Sequence, residues 1–326
     1  MRIVWGAPAI VALAIWSSLA GAQASPPVIG YLGSESPTLF ASRLQAFKEG
    51  LSKAGFVDGR NVRIEYRWAE GNNSRLPGLA ADLVQRKVDV IAAPGSLAAA
   101  LAAKAATSRI PIVFETGADP IAAGLVASMN RPGGYITGVT SLNAQVGPKR
   151  LELLRELAPA ATAFALLVNP TNPTNAAATT QDLQAAARTF GVRMHVLEAS
   201  SERDFDSVFA TLGSLKVGGL VIANETFFAN RSERLAALTL QHSIPAAHQS
   251  REFVAAGGLL SYGGSVTQSH GQAGFYAGRI LKGEKPGDLP VQQVTTVELA
   301  INLKTAKALG LTIPTVLLQR ANEVFR

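Results

Sequence analysis

The sequence predicts an α/β protein built from two lobes, each containing a parallel, doubly wound sheet. From Pro27 onward, short runs of β-branched and apolar residues alternate with amphipathic stretches of helical periodicity. This order of strand, helix and strand is typical of parallel sheets. The alternation restarts after a glycine-rich break, RPGGYITGVTSL, at residues 131–142. About 302 residues follow residue 24, which also favours two domains, because one domain commonly takes roughly 100 to 200 residues.

Each of the two series supplies several strands and helices. The predicted strands of the first are PVIGYL, VRIEYRW, DVIAAPG and IPIVFET, and its predicted helices cover residues 39–54, 75–86 and 96–107. The predicted strands of the second are FALLVNP, VRMHVLEA, GGLVIAN and IPAAHQ, with helices over residues 179–190, from Ser201, and over residues 232–242. No sequence repeat relates the two series, so the similarity of the lobes is one of architecture.

The first 24 residues have the pattern of a secretory signal peptide. Arg2 is their one charged side chain, and it is followed by the apolar run IVWGAPAIVALAIW and by small residues ending in AGAQA. This arrangement predicts cleavage after Ala22 or Ala24 and export to the periplasm. The alternative, a retained membrane anchor, is disfavoured because the apolar run is shorter than the roughly 20 residues that a spanning helix needs.

Composition excludes several classes of protein. The chain has no cysteine, which excludes a lipid anchor on cysteine, a disulfide framework, thiolate metal sites and a cysteine nucleophile. The formal charge of +7 is spread thinly, without a block of lysine and arginine, so nucleic acid is not expected as a partner. The pattern predicts a monomer that needs no cofactor.

The signals for an enzyme are weak. Ser261 stands in the spacing GxxSxG with Gly258 and Gly263, and neither a GxSxG elbow nor a phosphate-binding glycine loop follows a strand. The four histidines show no metal-ligand spacing, so no metal site is predicted. Glu115 and Asp119 could form an acid/base pair, but their spacing in one loop fixes no separation. We therefore expect no catalysis.

The predicted strand ends are rich in small and polar residues. In an open α/β sheet a ligand lies beyond the carboxyl ends of the strands, where loops lead into the positive ends of helices. A ligand cleft is therefore predicted at this edge, although a helix cap is an alternative role for each serine, threonine, asparagine or aspartate. The candidate residues at the strand ends are Ser34, Glu35, Gly95, Ser96, Thr116, Asp119, Asn169, Asn224, Glu225 and His248.

The stretch REFVAAGGLLSYGGS, residues 251–265, allows two interpretations. Its apolar pair predicts a short buried strand, and the flanking glycines let the backbone approach another group closely. The stretch is then either a catalytic elbow or a crossing between lobes that lines a ligand cleft.

Several stretches of the chain resemble the periplasmic substrate-binding proteins of ABC uptake systems, in the branch that includes tryptophan and tyrosine receptors. The resemblance spans nearly the whole chain after the signal peptide, and it implies two Rossmann-like lobes, three hinge crossings, a ligand held between the lobes, an inner-membrane permease as partner, and no catalysis. The matching stretches are FKEGLSKAGFVDGRNVRIEYRWAEGN, VDVIAAPGS, IPIVFETGADPIAAGLVASMNRPGG, REFVAAGGLLSYG, GRILKGEKPGDLPVQQ and ELAINLKTAKALGLTIP.

The resemblance implies that GGLLSYGG is the second crossing, with Ser261 and Tyr262 facing the cleft. The other crossings are expected near residues 141–148 and 290–298, with the last helix in lobe two. Two departures put an aromatic ligand in doubt. Tyr135 stands where the family commonly has asparagine, and His248 and Gln249 replace a stretch that is often aromatic. The implied boundaries are residues 25–143 plus 262–290 for lobe one, and residues 147–258 plus 298–326 for lobe two.

The function predicted is a receptor for a small polar solute, such as an amino acid or a small carboxylate. Its carboxylate would be held by N–H and hydroxyl groups of Ser34 and Ser96, and an ammonium group by Asp119 or Glu225. Ligand bound to both lobes stabilises the closed form. A ligand-sensing module for a membrane partner such as a kinase, or an exported α/β hydrolase, is the alternative. The candidates to cover an apolar ligand group are Tyr262, Phe114 and Phe227.

Overall fold

A computed structural model describes residues 25–141, 143 and 145–326, and these residues form two α/β lobes. The predicted signal peptide, residues 1–24, lies outside the described residues. Among the helices of the described part, none has both the length and the apolar character needed to cross a membrane.

Lobe one is built on a six-stranded parallel sheet in the order β11-β5-β4-β3-β1-β2. Helices cover both faces, because α2 and α3 contribute to the core on one side and α1 and α10 to the core on the other. The strands are β1 (Val28–Gly33), β2 (Arg63–Trp68), β3 (Val90–Ala93), β4 (Ile112–Thr116), β5 (Ile136–Thr140) and β11 (Gln292–Gln293). The helices are α1 (Ala41–Lys53), α2 (Leu76–Gln85), α3 (Leu97–Ala106) and α10 (Val266–Leu281).

Lobe two is built on a seven-stranded sheet in the order β13-β12-β10-β9-β8-β6-β7. Within the described residues its neighbouring strands are parallel, apart from the antiparallel pair of β10 and β12. The strands are β6 (Ala163–Val168), β7 (Arg193–Glu198), β8 (Leu220–Ile222), β9 (Ala246–His248), β10 (Leu260–Gly264), β12 (Val297–Asn302) and β13 (Glu323–Phe325). The helices are α4 (Gly147–Leu157), α5 (Pro173–Phe190), α6 (Arg203–Leu215), α7 (Thr226–Ala229), α8 (Ser232–Gln241), α9 (Arg251–Ala255), α11 (Leu303–Ala308) and α12 (Thr315–Arg320).

The chain passes between the two sheets three times within the described residues. It leaves lobe one between β5 and α4, returns between β10 and α10, and leaves again between β11 and β12. These segments are the three hinge crossings. The predicted fold class, two parallel-sheet lobes joined by three crossings, is therefore confirmed, and GGLLSYGG does contain a buried strand, β10.

Two elements differ from the prediction. Residues 136–140, placed in a glycine-rich break, form the buried strand β5, because the β-branched side chains of ITGVT favour a strand and the glycines precede it. Helix α5 begins at Pro173 and not at residue 179. The side chain of Asn172 caps this helix by accepting a hydrogen bond from the Asn175 N–H, and proline is well suited to a first turn.

Candidate ligand-binding cleft between the lobes

Side chains of the two lobes are hydrogen-bonded directly across the cleft. The Thr226 hydroxyl of lobe two donates to the Gly95 carbonyl at 3.1 Å and accepts from the Ser34 hydroxyl at 3.2 Å. Beside them, the Ser36 N–H donates to Asn230 Oδ1 at 3.0 Å. The lobes are therefore in contact, and the structure has a closed cleft.

Glu225 forms a second bridge between the lobes. Its carboxylate accepts from Asn73 of lobe one at 3.1 Å and from Asn172 of lobe two at 2.9 Å. Burial raises the pKa of Glu225 above its ordinary value, and the two amide donors only partly oppose this effect. No cation is paired with this carboxylate among the described residues.

Two glycines permit the close approach of the loops. Gly95 has a φ of +97°, a conformation that residues with a Cβ rarely adopt. At Gly117 a Cβ atom would lie 2.1 Å from Asn224 Nδ2 of the opposite lobe. A side chain at Gly117 would therefore displace Asn224 and crowd Asn143, whose Cβ would lie 2.8 Å away.

A cluster of buried charged groups lies under the cleft in lobe one. Arg43 forms an ion pair with Glu35, and His270 Nε2 lies 3.7 Å from the other Glu35 oxygen, which is too long for a hydrogen bond. Glu115 accepts hydrogen bonds from the hydroxyls of Ser141 at 3.2 Å and Ser269 at 3.0 Å. Each carboxylate in this cluster therefore has a donor.

The pKa values in this cluster reflect the pairing. Burial alone would raise the pKa of Glu35, but the charge of Arg43 and the interaction with His270 lower it below its ordinary value. Burial would likewise lower the pKa of His270, and the carboxylates of Glu35 and Glu115 raise it instead. The cluster therefore favours the charged forms.

Arg43 also reaches across the cleft. Its Nη2 donates to Glu252 of lobe two at 3.0 Å, so the guanidinium group has one carboxylate partner in each lobe. Burial would lower the pKa of Arg43, but Glu35 and Glu252 raise it above its ordinary value. Opening the cleft would remove one of these two partners.

A cavity of about 250 Å³ lies beside Arg43 and is called here the hinge cavity. It is lined by the start of α1, the loop from β9 to α9, strand β10 with the start of α10, and strands β12 and β13. Arg43, Gln249 and Ser261 line it. Arg43 Nε and Gln249 Oε1 are both buried, and neither has a hydrogen-bond partner. Because both atoms are buried, neither is exposed to the cavity.

A second buried arginine, Arg150 on α4, lies at the hinge. Its Nε donates to the Tyr262 carbonyl at 2.7 Å and its Nη2 to the Asn143 carbonyl at 2.6 Å, so it joins two crossings. The Asn143 side chain in turn accepts from the Gly264 N–H at 2.7 Å. Arg150 forms no ion pair with a carboxylate of the described residues. Burial lowers its pKa to about 9.

His248 is buried at the end of β9. Its Nδ1 lies 3.0 Å from the Ser250 hydroxyl, and its Nε2 is buried without a partner. Burial, followed by the charges of Arg150 and Arg43, lowers the pKa of His248 to about 3. The imidazole is therefore neutral near pH 7.

The structure brings some of the predicted site residues together and separates others. Seven of them lie where the two lobes meet, with Ser96 acting as a helix cap. Ser261 lines the hinge cavity, and His248 contacts Ser250 of that lining. The seven are Ser34, Glu35, Gly95, Ser96, Thr116, Asn224 and Glu225.

The remaining candidates have local roles or lie elsewhere. Asp119 is exposed and caps a turn by accepting from the N–H groups of Ile121 at 2.8 Å and Ala122 at 3.1 Å. Asn169 accepts from Thr171 within its own turn.

Thr116 also caps its own loop, because its hydroxyl accepts from the Ala118 N–H at 3.1 Å. The aromatic candidates do not line the hinge cavity. Tyr262 packs against the core of lobe two, and Phe114 and Phe227 are buried in the lobe cores.

Sequence reasoning missed several residues of the cleft. Arg43 and Arg150 stand in helices whose pattern gives no sign that these positions are buried, and Glu252 stands in a short helix. Asn172 could have been recognised as a cap before a proline. The described residues contain no cluster of histidine and acidic side chains that could hold a metal ion.

The two lobes, the three crossings and the closed cleft define a type I periplasmic binding protein fold. The family model described as ABC transporter substrate binding protein matches residues 35–325. The chain therefore belongs to the ABC transporter substrate-binding proteins, as the resemblance in the sequence implied.

The chain is similar to three proteins whose ligand or conformational state is known. It is 27% identical over 277 residues to a tyrosine-binding protein of Clostridioides difficile, covering 85% of this chain and 79% of that protein. A complex with L-Trp from Streptococcus pneumonia is 26% identical, with a TM-score of 0.84 over 92% of this chain and all 100% of that one. The ligand-free, open structure of a substrate binding protein from Clostridium difficile is 25% identical, with a TM-score of 0.65 over 92% and 99%.

The two TM-scores differ although the identities are nearly equal. The complex with L-Trp superposes better than the ligand-free, open structure. This difference agrees with the hydrogen bonds between the lobes, and both indicate the closed arrangement.

Proposed function

We propose that the protein is a periplasmic receptor that binds a small amino-acid-like solute in the hinge cavity and delivers it to its permease. Members of this family are extracytoplasmic, bind small ligands and work with ABC permeases. The observation that carries the proposal is the cavity of about 250 Å³ between the lobes, whose lining combines polar, charged and small apolar side chains from both of them. Binding sites of this kind commonly pair an enclosed space with a few directed polar groups.

The relatives support an amino acid as the class of ligand. One is a tyrosine-binding protein and another was solved with L-Trp, at 27% and 26% identity. The lining includes serine hydroxyls and side-chain carboxylates, which are suitable partners for the carboxylate and ammonium groups of an α-amino acid. The receptor is proposed to act as a monomer, without nucleic acid, and to release its ligand chemically unchanged.

Ligand binding and closure are coupled in this proposal. In this proposal lobe one comprises residues 25–143 plus 265–293 and lobe two comprises residues 147–264 plus 297–326, because β10 pairs in the sheet of lobe two and β11 in the sheet of lobe one. The ligand contacts both lobes. Because ligand contacts in both lobes exist only in the closed form, binding shifts the population toward that form. The permease then distinguishes the closed, loaded receptor from the open one.

A screen of amino acids by thermal shift, followed by small-angle scattering, tests the proposal. A ligand at 100 times its Kd stabilises the folded state by about 2.7 kcal/mol, which raises the melting temperature measurably. The radius of gyration should fall when that ligand is added. Failure of every amino acid to change either quantity would overturn the proposed ligand class.

Export is tested separately. We expect the mature protein in the periplasmic fraction to begin directly after Ala22 or Ala24, as determined by N-terminal sequencing. An intact Met1 in the membrane fraction would contradict the proposed cleavage.

A further inference from the structure

We propose that residues 225–231 of lobe two form a latch that holds the cleft closed, with Asn230 as its positioning residue. The latch consists of Glu225, helix α7 and the two residues that follow this helix. Such a latch acts on closure, which goes beyond the proposed function, and it serves any solute that the receptor binds. Its contacts with lobe one, the side-chain partners of Asn230 and its distance from the hinge all support this role.

The latch is hydrogen-bonded to three loops of lobe one. Thr226 Oγ1 donates at 3.1 Å to the carbonyl of Gly95, in the loop after β3. The Glu225 carboxylate accepts at 3.1 Å from Asn73, in the segment after β2. The third loop, between β1 and α1, is bonded to Asn230. These hydrogen bonds join the two lobes, so they exist only while the cleft is closed.

Both side-chain hydrogen bonds that Asn230 forms with described residues cross the cleft. Its Oδ1 accepts from the Ser36 N–H at 3.0 Å, and its Nδ2 donates to the Ser34 carbonyl at 3.4 Å, which is the longer and weaker contact. The backbone at Gly71 packs against the same amide, because a Cβ there would lie 2.7 Å from Asn230 Nδ2. The Asn230 side chain therefore fits against two loops of the opposite lobe.

The latch lies away from the hinge. In lobe one, two of the crossings leave from β5 and β11 at one edge of the sheet, whereas β1 and β2 lie at the other edge. In lobe two, two of the crossings join β10 and β12, whereas the latch follows β8, and β9 separates β8 from β10. When one lobe rotates about the hinge, atoms far from the hinge move furthest. Opening the cleft therefore separates the latch from lobe one.

The latch contacts act together on the equilibrium between the open and closed forms. Each hydrogen bond is exchanged for bonds with water when the cleft opens, so its net contribution is modest, but several of them favour the same form. Contacts of a ligand with both lobes are made in the closed form, so a larger closed population raises the apparent affinity. Asn230 does not line the hinge cavity, and its effect on affinity therefore arises through closure.

The test measures the distance between the lobes in the ligand-free protein. Because the chain has no cysteine, Gly78→Cys and Ala178→Cys give one label site in each lobe, at exposed positions of α2 and α5. Double electron–electron resonance between two nitroxide labels should show a closed population in this parent pair. Asn230→Ala should raise the ratio of open to closed form about fivefold. Thr226→Val, which keeps the shape and removes the hydroxyl, should shift the ratio in the same direction.

Asn61→Ala is the matched control. Asn61 Oδ1 accepts from the Val57 N–H at 2.7 Å and its Nδ2 donates to the Gly55 carbonyl at 2.9 Å, so the same kind of backbone contacts are lost within lobe one. Its ratio of open to closed form should equal that of the parent, and circular dichroism shows that each variant is folded. Equal distance distributions in the parent and both latch variants, or the same shift in the control, would overturn the latch. The amino-acid screen tests the ligand class independently of this result.

Discussion

The two buried arginines show how differently one side chain can be accommodated in the same protein. Arg43 and Arg150 are 3% and 1% exposed, so burial does not distinguish them. Arg43 lies between the carboxylates of Glu35 and Glu252, and its pKa is raised. Arg150 donates to backbone carbonyls, and its pKa is lowered to about 9. The partners, and not the depth of burial, therefore decide the state of each cation.

This difference also separates two functions within the hinge region. The partners of Arg43 belong to different lobes, so its full set of contacts exists only when the cleft is closed. The partners of Arg150 belong to two crossings, Asn143 and Tyr262, and hold these segments beside α4. Arg43 therefore stabilises the closed form, whereas Arg150 holds together the hinge segments about which the lobes close.

Arg43→Met should have the largest effect on stability. The substitution leaves Glu35 buried without its cation, and breaking a buried pair in this way costs about 3 to 5 kcal/mol. Urea unfolding of the ligand-free protein measures the loss. Arg43→Lys, which keeps the charge, should lose less, and a loss below about 1 kcal/mol for Arg43→Met would refute the role assigned to the pair.

The pH dependence of the free energy of unfolding tests whether burial and the charges of the two arginines lower the pKa of His248. Its folded pKa of about 3 lies below the unfolded value, so its contribution is complete above about pH 6.5 and is lost as the pH falls toward 3. The free energy of unfolding should therefore decrease by about 2 kcal/mol between pH 6.5 and pH 5.

His248→Asn should remove most of this slope, which urea unfolding at several pH values would show. His270 does not interfere in this window, because its raised pKa gives stability that is present below about pH 6.5 and is lost as the pH rises through the folded value. An unchanged slope in His248→Asn would mean that another group titrates.

Arg150→Met should lower the free energy of unfolding less than Arg43→Met does, although both side chains are buried. The substitution destabilises the protein because the carbonyls of Asn143 and Tyr262 lose their donor. It also removes a buried cation that has no carboxylate partner, which offsets part of this loss. The net loss should be about 1 to 2 kcal/mol. Denaturant unfolding of both variants under identical conditions measures their free energies of unfolding. An equal or larger loss for Arg150→Met would contradict the prediction.

Glu252→Gln should have the smallest effect and should act on binding. The substitution weakens the contact between Arg43 and lobe two by about 1 kcal/mol, which lowers ligand affinity about fivefold and leaves the melting temperature without ligand nearly unchanged. Isothermal titration with an amino acid that binds measures the change. Asp206→Asn is the control, because its ion pair with Arg234 lies within lobe two and neither residue lines the hinge cavity. The same loss of affinity in both variants would show that closure does not depend on Glu252.

The strand ends illustrate what could be predicted about the site. Ser34, Gly95 and Glu225 were found from the rule that ligand sites lie beyond the carboxyl ends of parallel strands, and the structure places them where the lobes meet. Asp119 satisfies the same rule and is nevertheless an exposed cap. The rule locates an edge of the sheet but does not say which side chains point into the space beyond it.

The sequence by itself determined the fold class, the two lobes and the family, because these depend on local periodicity and on stretches that are continuous in the chain. Only the tertiary structure decided the partners of Arg43, Arg150 and His248. Glu252 lies 209 positions from Arg43, and Tyr262 lies 112 positions from Arg150. The sequence shows which positions carry a charge. Whether such a charge is buried, and which group it contacts, depends on how the two lobes and the three crossings are arranged in space.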